Sequence, residues 1–416
     1  MTDTAHDPAS TGSADPLAAP LRLPNGQELA NRFAKAAMSE QLGDRRNRPT
    51  PALERLYERW GRRGTGLLIT GNVMVHRDHL GEPHNVVIDD DRDLAALTRW
   101  ATAARSGGAK VWAQVNHPGR QALRIAGKHP VGPSPVRPKV PGSVTPRELT
   151  GAEIEDVVAR FATTSAVLER AGFDGMQVHG AHGYLVSQFL SPLANQRTDD
   201  WGGTPEKRMR FLLEVVRAIR AAVSPGFAVG VKLNSADFQR GGFTQEESMA
   251  VVEALGAEGI DLLEISGGTY EAPAMVGLEA ATSTQQREAY FLDYAEQVRE
   301  RTAIPLMLTG GFRNVGAMRD ALASGAIDVV GIGRPLAVDT DGPAGLLDGS
   351  RTSIRAGDKK LGHKQLDGLV DLYWHTRQLH RIGAGRNPDL REPAPVTLAH
   401  AIVGNGWRAL RRRRGG

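Results

Sequence analysis

Eight short apolar runs recur along this chain, each followed by a longer segment with helical periodicity, at residues 32–38, 66–70, 110–116, 175–179, 228–233, 261–266, 305–309 and 328–333. Buried parallel strands read as such runs, because both faces of the sheet are covered. Eight of them in order, alternating with helices, predict a closed (β/α)8 barrel. A doubly wound open sheet would alternate in the same way. Neither G-x-G-x-x-G nor G-x-x-x-x-G-K-[ST] occurs, which weighs against a dinucleotide fold of that kind or a P-loop.

The helices carry their own start signals. Thr150 with Glu153 and Thr244 with Glu247 form capping boxes, and Thr204 precedes a proline, Pro205, at the first helical position. Ile154, Val157, Val158, Phe161 and Leu168 fall on one helical face, which packs on the sheet. Residues 117–149, rich in Pro and Gly, read as a long excursion after the third strand that covers the pocket. The expected division is a disordered segment over 1–20, a barrel over 21–345, and an extension over 346–416 with a helix near 366–381 and a basic tail.

There is no cysteine in the 416 residues, which excludes thiolate-held iron–sulfur clusters, disulfides and a cysteine nucleophile and agrees with a cytoplasmic location. The formal charge of +4 is concentrated at the end: removing Arg408 and Arg411 to Arg414 leaves −1 for the rest. A nucleic-acid partner is therefore not expected. The tail reads as solvated, with a weak anionic-membrane contact through Leu398, Ile402, Val403, Trp407 and Leu410 as the alternative. No stretch approaches the roughly 20 apolar residues of a bilayer span, and the first twenty residues lack the basic start and apolar core of a secretory signal.

In a barrel the site lies at the C-terminal ends of the strands. At the end of the fourth strand the segment 175–185 gathers His179, His182 and Tyr184. Such a His-x-x-His pair binds a metal, satisfies hydrogen bonds at a strand end, or polarises a substrate oxygen beside a phenol that delivers a proton. After strands seven and eight, Gly310-Gly311 and Gly333-Arg334 supply backbone N–H groups and a guanidinium for a phosphate, of substrate or of cofactor. A redox site without metal favours a flavin. Gln114 offers a carboxamide to the ring's donor–acceptor edge, and Lys232 a cation for the charge of the reduced ring. Ser39 follows the first strand.

These motifs together resemble the Old Yellow Enzyme family of FMN-dependent NAD(P)H oxidoreductases, the ene-reductases. The resemblance runs over roughly residues 20–345 and rests on Asn31-Arg32, Ala36-Ala37-Met38, Gln114-Val-Asn-His117-Pro-Gly-Arg120, His179-Gly-Ala-His182-Gly-Tyr184 continuing to Asn195-Gln-Arg197-Thr-Asp199, Arg208, Arg210-Phe211, Gly310-Gly311 and Gly333-Arg334. It implies a TIM barrel that takes hydride from NADH or NADPH onto FMN and reduces the C=C bond of an activated alkene in the same pocket. His179 and His182 would hold the carbonyl oxygen, and Tyr184 would protonate the α-carbon. Ala37, Met38, Ser39, Asn72, Gln114, Lys232, Gly310, Gly311, Gly333 and Arg334 would contact FMN, and no metal is implied. Ser39 stands where relatives often carry Cys or Thr, Lys232 where Arg is common, Ala37 in place of a proline and Trp201 in place of a Tyr. The other outcomes open to such a chain are demethylation, nitro or nitrate-ester reduction, NADH oxidation by oxygen, and flavin binding by a membrane-associated protein. The oligomeric state is not legible.

Overall fold

The computed structural model describes residues 15–123, 128–140, 142–266, 284–362 and 364–400. Eight parallel strands close into a barrel: β1 (Phe33–Lys35), β2 (Leu67–Ile69), β3 (Lys110–Asn116), β4 (Gly175–Gly180), β5 (Ala228–Asn234), β6 (Leu262–Ser266), β7 (Leu306–Thr309) and β8 (Val329–Ile332). Each pairs with the next, and β8 pairs with β1 to complete the ring. The expected fold is thus the observed one. The first strand is shorter than its apolar run: it ends at Lys35, and Ala37, Met38 and Ser39 lie on the segment that leaves it.

Side chains alternate across each strand, so every second residue enters the barrel. The lowest interior layer is apolar and includes Ala34, Leu67, Trp112, Ala228, Leu262, Met307 and Val329. Trp112 fills the axis. A Cβ on Gly175 or Gly230 would stand 2.8 Å from its indole ring, so glycine at those two positions makes room for it. Two residues further along, the same phase brings Gln114, Gln177, Lys232, Glu264 and Thr309 inward, and beyond them lie His179 and Ser266. The interior therefore turns from apolar to polar toward the C-terminal mouth. A register slip of one residue would expel the whole set.

The helices form the outer layer: α1 (Pro51–Gly61), α2 (Leu94–Ala104), α3 (Gly151–Arg170), the short α4 (Leu185–Leu190), α5 (Pro205–Ala222), α6 (Gln245–Ala257), α7 (Thr284–Arg299), α8 (Val315–Ala323), α9 (Gly342–Leu347) and α10 (Lys364–Gly383). Both capping boxes are formed, and Thr204 caps α5 with Pro205 in its first turn. On α3, Ile154, Val157, Phe161 and Leu168 are buried and Val158 packs against them. Each such side chain contributes roughly 1.5–3 kcal/mol when fully removed from water.

Packed structure begins earlier than the expected boundary at residue 21. Leu17 is fully buried in the main core and Asp15 pairs with Arg319 at 2.6 Å. A hairpin of Leu21–Arg22 with Glu28–Leu29 then places Leu23 and Leu29 against the lower interior layer. In the extension, α10 docks on α1: Arg55 Nε donates to Gly383 O at 2.7 Å, and Trp374 is fully buried. The basic tail, with Ile402, Val403, Trp407 and Leu410 of the expected anchor, lies outside the described residues. Among the described residues no helix is long and apolar enough to cross a membrane.

Candidate active site

A cavity of about 290 Å³ opens at the C-terminal ends of the strands. Every candidate residue reaches its wall: Ala37, Met38, Ser39, Asn72, Gln114, His179, His182, Tyr184, Lys232, Gly310, Gly311, Gly333 and Arg334. The excursion does not cover it as expected. None of its described residues lines the cavity, and it acts as a buttress instead. Gln121 Nε2 donates to the carbonyls of His182 (3.0 Å) and Gly183 (2.7 Å), and Leu185 N donates to His117 O at 3.0 Å.

That buttress supports a strained turn. After β4 the chain reverses through His182 (φ +62°) and Gly183 (φ +76°), both left-handed. The conformation costs a non-glycine residue about 1–2 kcal/mol and is held by Gln121 and by Asn234, whose Oδ1 accepts from His182 N at 3.3 Å. The turn delivers three rings to one wall. The His179 centroid lies 5.0 Å from that of His182 and 4.8 Å from that of Tyr184, both pairs edge-on.

Protonation follows from the partners. His179 Nδ1 accepts from Ala181 N at 3.3 Å, so in the neutral ring the proton resides on Nε2, which becomes a donor. His182 Nε2 sits 2.7 Å from Ser266 Oγ. Burial, with the Lys232 charge nearby, pushes both imidazoles well below the usual histidine range. At neutral pH they are uncharged hydrogen-bonding groups. Among the described residues no cluster of three His, Cys, Asp or Glu could hold a metal.

Beneath the rings runs a buried polar chain that the sequence reading did not anticipate. Gln114 Nε2 donates to Gln177 Oε1 (2.8 Å), Gln177 Nε2 to Glu264 Oε2 (2.8 Å), and Lys232 Nζ to Glu264 Oε1 (2.9 Å). Lys232 is thus one half of an ion pair rather than an isolated cation. Arg334 is likewise paired, its Nη1 donating to Asp371 Oδ2 at 2.6 Å, which leaves its other N–H groups for a phosphate. Ser39 donates to Glu82, a carboxyl in the cavity wall whose proton affinity burial raises.

The mouth fits a flavin mononucleotide. At Gly310 (φ +135°) a Cβ would meet no atom of the described residues within 4 Å, and Gly311 (φ +77°) follows it in the left-handed region, so the backbone can approach an anion closely. Thr309 Oγ1 is buried, lines the cavity and has no hydrogen-bond partner among the described residues, as a group awaiting a ligand would be. Gln114, with one N–H bonded to Gln177, contributes a carboxamide oxygen and its second N–H. Asn72, whose Oδ1 accepts from Asn116 Nδ2 at 3.4 Å, contributes an NH2.

Residues 16–349 match the family described as NADH:flavin oxidoreductase / NADH oxidase. The chain belongs to that family. Among curated relatives of this flavin oxidoreductase, the NADH-dependent flavin oxidoreductase iliE of Hypocrea jecorina is 37% identical over 347 residues, covering 77% of this chain and 86% of the relative. The iccE enzyme of Talaromyces variabilis, described in the same words, is 35% identical, with 83% and 89% covered. The chain spans about half (50%) of an NADH oxidase from Thermoanaerobacter brockii, at 34% identity. Morphinone reductase, solved with tetrahydroNAD, superposes with a TM-score of 0.68 at 25% identity, covering 82% of this chain and 92% of that one. A 2-naphthoyl-CoA reductase complex superposes with a TM-score of 0.80 at 23% identity over 89% of this chain and 58% of that one, and shows the shared fold. This is an NADH:flavin oxidoreductase of the Old Yellow Enzyme group, with FMN as cofactor and a nicotinamide as hydride donor.

Sequence reasoning missed Gln177, Glu264, Ser266 and Glu82. The signal for Glu264 was available: a lone charge in the apolar run Leu262-Leu263-Glu264-Ile265 must find a partner if it is buried. It also missed the contribution of α10, whose Leu372, His375, Thr376 and Leu379 line the cavity.

Proposed function

We propose that this enzyme reduces the C=C bond of α,β-unsaturated carbonyl compounds, with electrons from NADH or NADPH. The observation that carries the reading is the placement of a fixed donor, His179 Nε2–H, and the Tyr184 phenol on one wall with ring centroids 4.8 Å apart. A bound FMN would supply the hydride transfer from the nicotinamide to the electrophilic carbon of the alkene. Gly310, Gly311, Gly333, Arg334 and Thr309 would hold its phosphate and chain, and Gln114, Asn72, Ala37, Met38 and Ser39 would flank its ring.

The chain's own residues then do the following. His179 and His182 hold the substrate oxygen and stabilise the negative charge that gathers there as the β-carbon is reduced. Because both rings are neutral, they donate without transferring a proton. Tyr184 O–H protonates the α-carbon. A phenol is a weak acid that suits an acceptor with carbanion character. Lys232, ion-paired with Glu264, would offset negative charge on a bound reduced flavin.

Purified protein incubated anaerobically with FMN, NADH and cyclohexenone is expected to yield the saturated ketone. NADH consumption that requires oxygen and ignores the enone would instead favour an oxidase. Turnover of a nitrate ester or release of a methyl group, with enones untouched, would favour the remaining alternatives.

A further inference from the structure

The match to the family ends at residue 349, yet α10, beginning at Lys364, forms one wall of the cavity. Leu372, His375, Thr376 and Leu379 line it, and their spacing of i, i+3, i+4 and i+7 is a single helical stripe. Several contacts fix the stripe in place. Asp371, one residue before it, bonds Arg334 at the phosphate end. His380 Nε2 lies 2.8 Å from Glu40 O on the segment after β1, and Trp374 anchors the opposite side.

The chemistry of the stripe is specific. His375 Nδ1 lies 2.8 Å from Asp371 O, and since a carbonyl only accepts, the proton is on Nδ1 and Nε2 is an acceptor. Thr376 Oγ1 donates to Leu372 O at 3.1 Å, so that its oxygen also remains an acceptor. Leu372 keeps 38% of its surface exposed while facing the cavity, and Leu379 extends the apolar strip. Two acceptors between two leucines do not suit a phosphate. They suit a ligand that carries hydroxyl donors next to an apolar ring edge.

We infer that α10 is a cofactor-binding element of this enzyme: its stripe takes the hydroxyl-bearing chain and apolar ring edge of FMN, and FMN binding is linked to docking of the C-terminal extension. The inference rests on the flavin assignment and adds residues beyond the family-matched segment. Linkage requires that a ligand bound across α10 and the barrel stabilises their contact.

The test uses the full chain stripped of flavin and titrated with FMN and with riboflavin, followed by flavin fluorescence. Leu372→Asp, at a position exposed enough to tolerate the change, should weaken both ligands by at least about tenfold. Leu379→Ala should weaken both as well. Tyr373→Ala, adjacent on the helix but outside the cavity wall, should change neither. Arg334→Ala should weaken FMN far more than riboflavin, which has no phosphate. In wild type, FMN should slow deuterium uptake across residues 364–383. Wild-type FMN binding with unaltered affinity in both leucine variants, or no change in exchange over α10, would overturn the inference and leave the flavin assignment standing. Wild-type protein that takes up no FMN would overturn both.

Discussion

Lys232 and Glu264 face each other in register on neighbouring strands β5 and β6, and their charged groups meet at 2.9 Å with both side chains almost wholly buried. The pair supports the site as well as the barrel, because Glu264 also receives Gln177, which in turn receives Gln114. Removing one partner of such a pair leaves an uncompensated buried charge. Glu264→Gln is therefore expected to cost about 3–5 kcal/mol in urea unfolding, and the double variant Lys232→Met with Glu264→Leu to cost less than that single change. A loss below about 1 kcal/mol for Glu264→Gln would mean that water reaches the pair.

Tyr184→Phe removes the proposed proton donor while keeping the ring that packs on His179. Stopped-flow measurement should show enone reduction slowed by roughly 10² to 10⁴, with flavin reduction by NADH close to wild type. Equal loss in both half-reactions would assign Tyr184 to binding rather than to proton delivery.

The neutral histidines make stability depend on pH. His117, His179 and His182 are all held well below their ordinary value by burial. Unfolded chains take up protons near pH 6.5 where the folded protein does not, so stability is complete above that pH and is lost as pH falls below it. Each group adds about 1.4 kcal/mol per pH unit to the slope. In denaturant melts between pH 7 and 5, His179→Asn should lose stability with pH more shallowly than wild type.

Glu82 behaves in the opposite sense. Burial raises its proton affinity, so its contribution is present below the ordinary carboxylate range and is lost as pH rises through the folded value. Glu82→Gln should melt at the same temperature as wild type near pH 4 and at a higher one near pH 8. A lower melting temperature at pH 8 would show that the hydrogen bond from Ser39 outweighs the cost of the buried charge.

Much of this architecture is legible without coordinates. The eight apolar runs fall on the eight strands, because an element buried on both faces has to be apolar throughout, and the Thr150 and Thr244 caps were found because a capping box is complete within four residues. Leu17 was not found, since a single apolar residue in a polar, Pro-rich stretch carries no periodicity. The α10 helix was anticipated near residues 366–381, but not that one of its faces would line the cavity. An amphipathic pattern says that a face is buried without naming the surface that covers it.

The sequence by itself determined the strand order, the helix starts, and which residues with site chemistry stand at strand ends, since each of these is written in local spacing. It also carried the family motif through Tyr184. Only the tertiary structure decided that His179 donates through Nε2, that Lys232 and Arg334 are already paired with Glu264 and Asp371, and that a helix 340 residues from Glu40 reaches back to bond its carbonyl. Those facts depend on contacts between strands and helices far apart in the chain. Proton position and ion pairing follow from which atoms come within hydrogen-bonding distance after the barrel has closed.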